Sequence, residues 1–250
     1  MDKLLSVEAI HAGYATARVL HDVTFSLPEK STLALLGRNG VGKTTLIETI
    51  MGLAVQTAGR IAFRGRDIST MQPHHRNAAG MALVPQQREI FRSLTVEENL
   101  KVAARPGEWT LSRIYDLFPR LYERRTNGGG QLSGGEQQML AMGRALAGNP
   151  SLLLLDEPFE GLAPVIVDLL VDAINRIRTE GAIASIVVEH HVDLALELAD
   201  AVIVLDRGRI SWSGSSPELK AAPDLMASLI GLGTGGEQFP EIETRMDGAE

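Results

Sequence analysis

Cysteine is absent from this sequence of 250 residues, and aromatic residues make up only 4% of it. Without cysteine the chain cannot form disulfides, use a thiolate nucleophile or hold a metal through sulfur. Long apolar runs are missing as well, since no stretch approaches the roughly 20 apolar residues needed to span a bilayer. The aliphatic run Leu152–Leu155 is far shorter, and its length predicts a buried strand.

Two further absences bear on where the chain works and what it binds. Met1–Leu5 lacks the apolar core and the cleavage site of a signal peptide, so we expect a soluble protein of the cytoplasm. An excess of positive charge is also missing, because the formal net charge is -7. This balance argues against a nucleic-acid-binding protein that relies on a basic face. If the chain serves a membrane, we expect it to do so through a partner protein.

The sequence does contain a regular alternation of two patterns. Short runs rich in β-branched and aliphatic residues predict strands at Leu4–Ile10, Thr32–Leu36, Ala82–Val84, Leu152–Leu155, Ala184–Val188 and Val202–Leu205. Helical patterns lie between them at Lys43–Met51, Thr95–Ala104, Glu136–Ala147, Pro164–Arg178 and Val192–Leu198. The alternation predicts an α/β fold with a mainly parallel sheet. The first 30 residues or so and the pair around Ile61–Phe63 predict antiparallel β additions on the N-terminal side.

One segment breaks the alternation. Residues 88–149 carry helix signals and no convincing strand, and they include the capping box Thr95-Val96-Glu97-Glu98. The segment predicts a helical insertion between two parts of an α/β core, residues 1–87 and 150–230. Beyond the core, residues 231–250 combine several glycines with five acidic residues, and they predict a flexible acidic tail.

The strongest motif is a glycine-rich phosphate loop. The stretch Gly37-Arg38-Asn39-Gly40-Val41-Gly42-Lys43-Thr44 fits G-x-x-x-x-G-K-[ST], follows a predicted strand and opens a predicted helix. Glycines let consecutive backbone N–H groups approach phosphate oxygens, and a helix N-terminus adds partial positive charge. In this motif Lys43 reaches the β- and γ-phosphates, and the Thr44 hydroxyl ligates Mg²⁺. The predicted nucleotide-binding residues are Gly37, Asn39, Gly40, Gly42, Lys43, Thr44 and Thr45.

A second motif places two carboxylates at the end of a strand. The run Leu152–Leu155 leads into Asp156-Glu157, which puts both acids at the carboxyl edge of the sheet, where open α/β folds bind ligands. We expect Asp156 to hold Mg²⁺, directly or through water, and Glu157 to act as general base on an attacking water. A strand that ends in Asp-Glu is commonly structural, but its pairing with a phosphate loop favours a nucleotide site.

A third motif, Leu132-Ser133-Gly134-Gly135-Glu136-Gln137-Gln138, precedes a predicted helix. Ser133 and Glu136 form a capping box, and Gly134 and Gly135 leave the N-terminus of that helix open to a phosphate. Together the three motifs resemble those of ABC transporter nucleotide-binding subunits. The resemblance runs from about residue 4 to residue 230. It implies a P-loop ATPase core with a helical insertion, and ATP and Mg²⁺ as ligands.

Within that family the chain is most similar to the smaller ATPase subunit of branched-chain amino acid importers. The stretches that carry this likeness are Ala34–Gly40, Leu94–Leu100, Gly134–Ala141 and Gly161–Pro164. Importers of urea and short amides share many of these residues. The resemblance implies an ATP-hydrolysing subunit that powers an importer of branched-chain amino acids or of a related small polar solute.

The resemblance also implies two site residues that precede the strand motif. Tyr14 matches an aromatic residue that stacks on adenine, although a lone tyrosine near a β-turn can equally be surface packing. Gln86 matches a glutamine that senses Mg²⁺ and the attacking water and that links the two subdomains. Gln87 lies beside it, but the preceding Val84-Pro85 favours Gln86.

Later in the chain the resemblance implies a histidine and an interface loop. His190, rather than His191, matches a histidine that contacts the γ-phosphate and supports catalysis. The loop Phe159–Leu162 corresponds to one that crosses a subunit interface. In the family arrangement, the insertion of one subunit covers the ATP held by the core of the other, so one chain cannot complete a site.

The implied partners are permease subunits in the membrane, a second ATPase subunit that is identical or similar, and indirectly a periplasmic or extracellular solute-binding protein. Nucleic acid is not among them. The implied location is the cytoplasmic face of the inner membrane, where the chain is peripheral through the permease. Two alternatives stay open, namely a soluble ABC-type ATPase of DNA repair, translation or cluster assembly, and the ATPase of an exporter or lipid transporter.

Overall fold

Two β-sheets organise the computed structural model, which describes residues 3–15, 17–180 and 183–230. The larger sheet consists of β3 (Thr32–Leu36), β6 (Met81–Val84), β7 (Leu152–Asp156), β8 (Ala184–Val188), β9 (Ala201–Asp206) and β10 (Arg209–Ser215). These strands lie in the order β10-β9-β3-β8-β7-β6, and all neighbours are parallel except β9 and β10. The predicted mainly parallel sheet is confirmed, but the sequence analysis misses its antiparallel edge strand.

The smaller sheet is antiparallel throughout and comes mostly from the start of the chain. It consists of β1 (Lys3–Tyr14), β2 (Ala17–Pro28), β4 (Val55–Phe63) and β5 (Arg66–Asp67). The strand order is β2-β1-β4-β5. The antiparallel additions predicted for the N-terminal side are therefore confirmed.

Ten α-helices occur in the described residues. They are α1 (Lys43–Met51), α2 (Pro73–Ala78), α3 (Val96–Ala103), α4 (Leu111–Leu117), α5 (Pro119–Glu123), α6 (Gly134–Ala147), α7 (Pro164–Glu180), α8 (Val192–Leu198), α9 (Ser216–Lys220) and α10 (Pro223–Ile230). The five predicted helices correspond to α1, α3, α6, α7 and α8. Among the described residues, none of these helices combines the length and the apolar character that a bilayer crossing requires.

The central strands carry continuous apolar runs because both faces of the larger sheet are covered. All residues of β3, β7 and β8 are buried. Successive side chains of a strand point to opposite faces. Leu153 and Leu155 accordingly join a core that contains α6 and α7, whereas Leu152 and Leu154 join a core shared with α1 and the smaller sheet.

Residues 88–149 contain α3 to α6 and a 3-10 turn at Gly129–Gln131, with no strand. The only β-type contact in this described segment is an isolated bridge between Thr95 and Gly128. The prediction of a helical segment here is confirmed. Its helices pack into the same apolar core as β6 and β7, and the domain boundaries at residues 87 and 150 stay a prediction. The predicted acidic tail, residues 231–250, lies outside the described residues.

Candidate functional site

The phosphate-loop motif lies between the end of β3 and the start of α1, and its glycines have backbone angles that other residues rarely adopt. Gly42 precedes α1 with a φ of 112°, and no side chain caps the first N–H groups of the helix. Gly37 has a φ of 146°, and a Cβ there would lie 2.4 Å from the carbonyl oxygen of Leu205. Only glycine fits this backbone. The uncapped helix N-terminus that results is suited to binding an anion.

Lys43 is a buried cation at this helix N-terminus, with only 4% of its surface exposed. Its Nζ donates hydrogen bonds to the carbonyl oxygens of Gly37 (2.9 Å) and Arg38 (3.2 Å). The same atom lies 3.5 Å from Oε1 of Glu157. A buried ammonium group needs such acceptors, and the oxygens of a phosphate would serve it as well or better.

Asp156 and Thr44 meet below the loop, as the two motifs predict. Thr44 Oγ1 donates to Asp156 Oδ1 over 3.4 Å, and Asp156 is 3% exposed. Burial raises the pKa of Asp156 to about 6, with the charge of Glu157 and Glu48 adding to the effect and the Thr44 hydrogen bond and Lys43 opposing it. A cation bound beside this carboxylate would stabilise its charged form.

Glu157 is the carboxylate on which the other predicted groups converge. Its backbone is left-handed, with a φ of 46°, and its N–H donates to the carbonyl oxygen of Val188 over 3.1 Å. Oε1 faces Lys43. Oε2 accepts a hydrogen bond from Gln86 Nε2 over 3.2 Å and lies 3.8 Å from Nδ1 of His190. Three residues from separate parts of the sequence thus surround the predicted general base.

These groups border a cleft of about 420 Å³. Eight of its lining residues belong to the predicted site, namely Asn39, Gly40, Gly42, Lys43, Thr44, Thr45, Gln86 and Glu157. Two other lining residues, Val19 and Glu160, were not predicted as site residues, although Glu160 belongs to the predicted interface loop Phe159–Leu162. Nothing in the sequence marks Val19, because the face of the sheet on which a β2 side chain lies depends on how the strand pairs. Glu160 does have a signal in the sequence, since it is a charged residue in the loop that directly follows Glu157, the predicted general base.

Ser133 caps α6 as the sequence predicts. Its backbone N–H donates to Glu136 Oε2 over 2.8 Å, and its Oγ accepts from the N–H of Glu136 over 3.3 Å. Gly134 is exposed, whereas Gly135 is buried, and a Cβ on Gly135 would lie 2.8 Å from Cγ2 of Ile166. Gly135 is therefore also needed for the packing of α6 on α7. Ser133, Gly134 and Gly135 are not among the residues that line the cleft.

Tyr14 lies at the end of β1 and turns toward α1. Its hydroxyl donates a hydrogen bond to Oε2 of Glu48, and its side chain is 43% exposed. Burial, followed by the bond to Glu48, raises the pKa of the phenol. Tyr14 is not among the residues that line the cleft, and its stacking on adenine stays a prediction.

His190 is held by a buried carboxyl group that the sequence analysis did not single out. Glu189 is 0% exposed, and its Oε2 accepts from the N–H groups of His190 (3.2 Å) and His191 (3.4 Å). The N–H of Glu189 donates to the carbonyl oxygen of Leu35 over 3.3 Å. These bonds tie the histidine loop to the strand that leads into the phosphate loop.

The chain is similar to named proteins along most of its length. It is 37% identical to the high-affinity branched-chain amino acid transport ATP-binding protein BraG of Pseudomonas aeruginosa, over 91% of this chain and 100% of the relative. It is 38% identical to the probable branched-chain amino acid transport ATP-binding protein LivF of Archaeoglobus fulgidus, over 86% and 94%. It is also 33% identical to the lipopolysaccharide export system ATP-binding protein LptB of Haemophilus influenzae, over 86% and 92%.

Structural and family comparisons agree with these relatives. The fold matches a solved ATP-binding subunit of an ABC transporter with a TM-score of 0.77 and 29% identity, over 89% of this chain and 94% of that one. The predicted P-loop ATPase core of the ABC type is thereby confirmed. The family model described as ABC transporter matches residues 20–160, more than half of the chain. The chain therefore belongs to the ABC transporter family, as one of its ATP-binding subunits, which hydrolyse ATP.

Proposed function

We propose that the cleft holds ATP with its phosphates on the loop of residues 37–44. The observation that carries this assignment is the buried ammonium group of Lys43 beside the uncapped N-terminus of α1. Lys43 takes the β- and γ-phosphates, and the loop N–H groups take the remaining phosphate oxygens. Gly37, Asn39, Gly40, Gly42 and Thr45 shape or line this cradle, and Tyr14 stacks on the adenine.

The residues at the end of β7 fit a magnesium ion. Thr44 and Asp156 offer two neighbouring oxygens, and Gln86, which lines the cleft, offers an amide oxygen. Mg²⁺ typically takes one or two carboxylates and completes its shell with water and substrate phosphates. The described residues contain no group of three or more His, Cys, Asp or Glu side chains that could hold a metal ion. Bound there, Mg²⁺ would neutralise charge on the β- and γ-phosphates.

Hydrolysis requires a base that takes a proton from the attacking water. Glu157 holds this role, because it lies at the strand end within reach of Lys43, Gln86 and His190. The γ-phosphate competes with Glu157 for Lys43, which frees the carboxylate to accept the proton. Gln86 orients the water, and His190 contacts the γ-phosphate, held in place through Glu189.

A second subunit completes the site in this proposal. Ser133, Gly134 and Gly135 stand at the N-terminus of α6, outside the cleft of their own chain. There they would cover the γ-phosphate of ATP bound to the partner, whether that partner is a second copy or a similar ATPase. Because ADP lacks this phosphate, ATP favours the closed pair more strongly than ADP does.

The working partner in the membrane is a permease. A hollow of about 620 Å³ lies beside the segment that follows Gln86, and its lining includes Phe91, Val102 and Arg144. Phe91 is 48% exposed and Val102 62% exposed. A patch of this kind on a soluble surface favours protein contact. Docking there connects the permease to Gln86 and places the chain at the cytoplasmic face of the inner membrane.

The cargo we propose is a branched-chain amino acid or a related small polar solute, delivered to the permease by a periplasmic or extracellular binding protein. The two relatives named as branched-chain amino acid transport ATP-binding proteins support the proposal, because each is 37% identical or more over most of the chain. An export function is the second candidate, because a lipopolysaccharide export protein is 33% identical over a similar length. Capture of the complex from native membranes distinguishes the two, since only an importer brings down a solute-binding protein.

The site assignment is tested by comparing ATP binding with phosphate release. Glu157→Gln should bind ATP normally and lose about 10²- to 10⁴-fold in hydrolysis, the usual share of a general base. Lys43→Ala should weaken binding itself about 10- to 100-fold, because it removes charge-assisted hydrogen bonds to phosphate. Glu108→Gln and Lys220→Ala, exposed groups outside the site, serve as matched controls. Wild-type hydrolysis by Glu157→Gln would refute the base assignment.

A further inference from the structure

The side-chain amide of Gln86 is held by its nitrogen. Nε2 donates to Oε2 of Glu160 over 2.5 Å and to Oε2 of Glu157 over 3.2 Å. An ionised carboxylate can only accept hydrogen bonds, so the nitrogen rather than the oxygen must face these two groups. Both hydrogen bonds that the Gln86 side chain makes to described residues use this nitrogen. Oε1, on the other branch of the amide, is thereby directed away from the two acids.

Glu160 comes to this position through the turn that follows β7. Its backbone N–H donates to the carbonyl oxygen of Glu157 over 3.2 Å, so the chain makes a tight turn between the two residues. The Glu160 side chain is exposed and lines the cleft. Gln86 is the one hydrogen-bond partner of its carboxylate among the described residues.

The orientation of the amide decides what Gln86 can bind. Its oxygen can ligate a divalent cation or accept from a water, whereas its NH₂ group can do neither. Without Glu160, a single hydrogen bond of 3.2 Å to Glu157 would fix the orientation of the Gln86 amide. Glu157 also has to accept a proton during hydrolysis in the proposed mechanism. Glu160 provides the shorter bond and is free of that role.

We propose that Glu160 is a positioning residue that holds the Gln86 amide with its nitrogen toward the acids and its oxygen toward the divalent cation that accompanies ATP. This inference rests on the proposed function, because it takes Gln86 to be a metal ligand. It adds a residue of the loop after the general base to the set that prepares the metal site. Glu160 acts through Gln86 and does not itself touch the cation.

Mn²⁺ is a suitable probe, since its binding to the protein loaded with a non-hydrolysable ATP analogue is measured directly by electron paramagnetic resonance. Glu160→Ala should raise the Kd for Mn²⁺ about fivefold, the effect of losing one hydrogen bond of about 1 kcal/mol. Glu160→Gln keeps an oxygen that accepts from Nε2, and should stay within about twofold of wild type. Glu108→Ala, an exposed acid outside the site, is the matched control. Binding of the analogue in EDTA should not change in any of these variants.

The double variant separates action through Gln86 from action on the metal. Gln86→Ala should raise the Kd for Mn²⁺, and adding Glu160→Ala to it should cause no further rise. Additive effects would overturn the inference, because Glu160 would then act on the cation without Gln86. A normal Kd in Glu160→Ala beside a raised Kd in Gln86→Ala would overturn the inference and leave the proposed function standing. A normal Kd in Gln86→Ala would refute both the metal role of Gln86 and the inference built on it.

Discussion

Glu189 shows how a single buried carboxyl group can tie a loop, here the one that contains His190 and His191, to the sheet. It is fully buried, with one oxygen accepting from the N–H groups of His190 and His191. The other oxygen, Oε1, has no hydrogen-bond partner among the described residues. Burial raises the pKa of Glu189 above its ordinary value of 4.5, and the two N–H groups and the histidines oppose the rise. Compared with the unfolded chain, the folded chain therefore shifts Glu189 toward its neutral form.

The pH dependence of stability follows from this shift. Because the folded pKa is raised, the stabilising effect of Glu189 is complete below pH 4.5 and is lost as pH rises through the folded pKa. Glu189→Gln stays neutral at every pH and keeps an oxygen for the two N–H groups. We expect the melting temperature of the variant, relative to wild type, to rise between pH 4.5 and pH 8. A constant difference across that range, in matched thermal melts, would contradict a raised pKa.

At the scale of single residues, the sequence predicts those site residues that belong to a recognisable motif. Lys43, Thr44 and Asp156 lie where their motifs predict, because strand, loop and helix follow one another along the chain. Glu160 and Glu189 could not be assigned in the same way. Each depends on a contact with another residue, Gln86 or the His190 loop, that only the folded chain brings about.

The end of α1 illustrates how one element stabilises another. Arg76, on α2, is 2% exposed and donates to the carbonyl oxygens of Thr49, Ile50, Ser69 and Met71. Thr49 and Ile50 belong to the last turn of α1, whose carbonyl groups have no partner within the helix. The Thr49 oxygen also accepts from the N–H of Gly52, just after the helix, over 3.1 Å. The guanidinium group satisfies both carbonyl groups and also opposes the negative end of the helix dipole.

Arg76→Lys keeps the charge but replaces a planar group of five donors by one ammonium group. The three N–H groups of one ammonium cannot match the four carbonyl oxygens that the guanidinium group serves from separate directions. Because buried carbonyl oxygens lose a donor, we expect the free energy of unfolding to fall by about 3 kcal/mol. Chemical denaturation monitored by circular dichroism measures the change. Arg60→Lys is the matched control, because Arg60 is 49% exposed and pairs with Asp67 at the surface. Equal stability of the two variants would show that Arg76 does not support the end of α1.

The sequence predicts well those helices that are long enough to show a periodic apolar face and that begin with a recognisable cap. The capping boxes at Thr95 and Ser133 are both present, and each starts its helix within two residues of the predicted position. The missed helices α2, α4, α5, α9 and α10 span only five to eight residues. Such lengths hold too few turns to show a helical period. Strand β10 was missed because its residues are exposed or half-buried and mostly polar.

At the scale of the whole molecule, many of the predicted residues lie in or beside one cleft, whereas Ser133, Gly134 and Gly135 stand apart from it. The first group surrounds Glu157, and the second stands at the N-terminus of α6. No sequence pattern states how far apart two motifs lie in the folded chain, because their separation depends on how α6 packs against α7 and the sheet. This division is the physical basis for expecting that two subunits share each ATP.

We expect ATP to drive association of the Glu157→Gln variant into a species of about twice 27.0 kDa, whereas ADP leaves it at 27.0 kDa. Sedimentation velocity distinguishes the two masses. The reason is that the γ-phosphate reaches the N-terminus of α6 in the partner, where the free helix N–H groups beside Gly134 and Gly135 favour an anion. A variant that remains at 27.0 kDa in ATP would contradict self-association and point to a second, similar ATPase as the partner.

Gly134→Ala in the same background tests whether that helix N-terminus makes the contact. A Cβ on Gly134 would meet nothing closer than Nη1 of Arg88 at 3.5 Å, so the chain should fold normally. The added methyl group hinders the approach of the phosphate, and we expect about tenfold more ATP to be needed for half-association, equivalent to about 1.4 kcal/mol. Gly128→Ala is the matched control, because its nearest contact would be 3.7 Å and its φ of -66° suits alanine. If Gly134→Ala and Gly128→Ala associate at the same ATP concentration, Gly134 does not face the partner's phosphate.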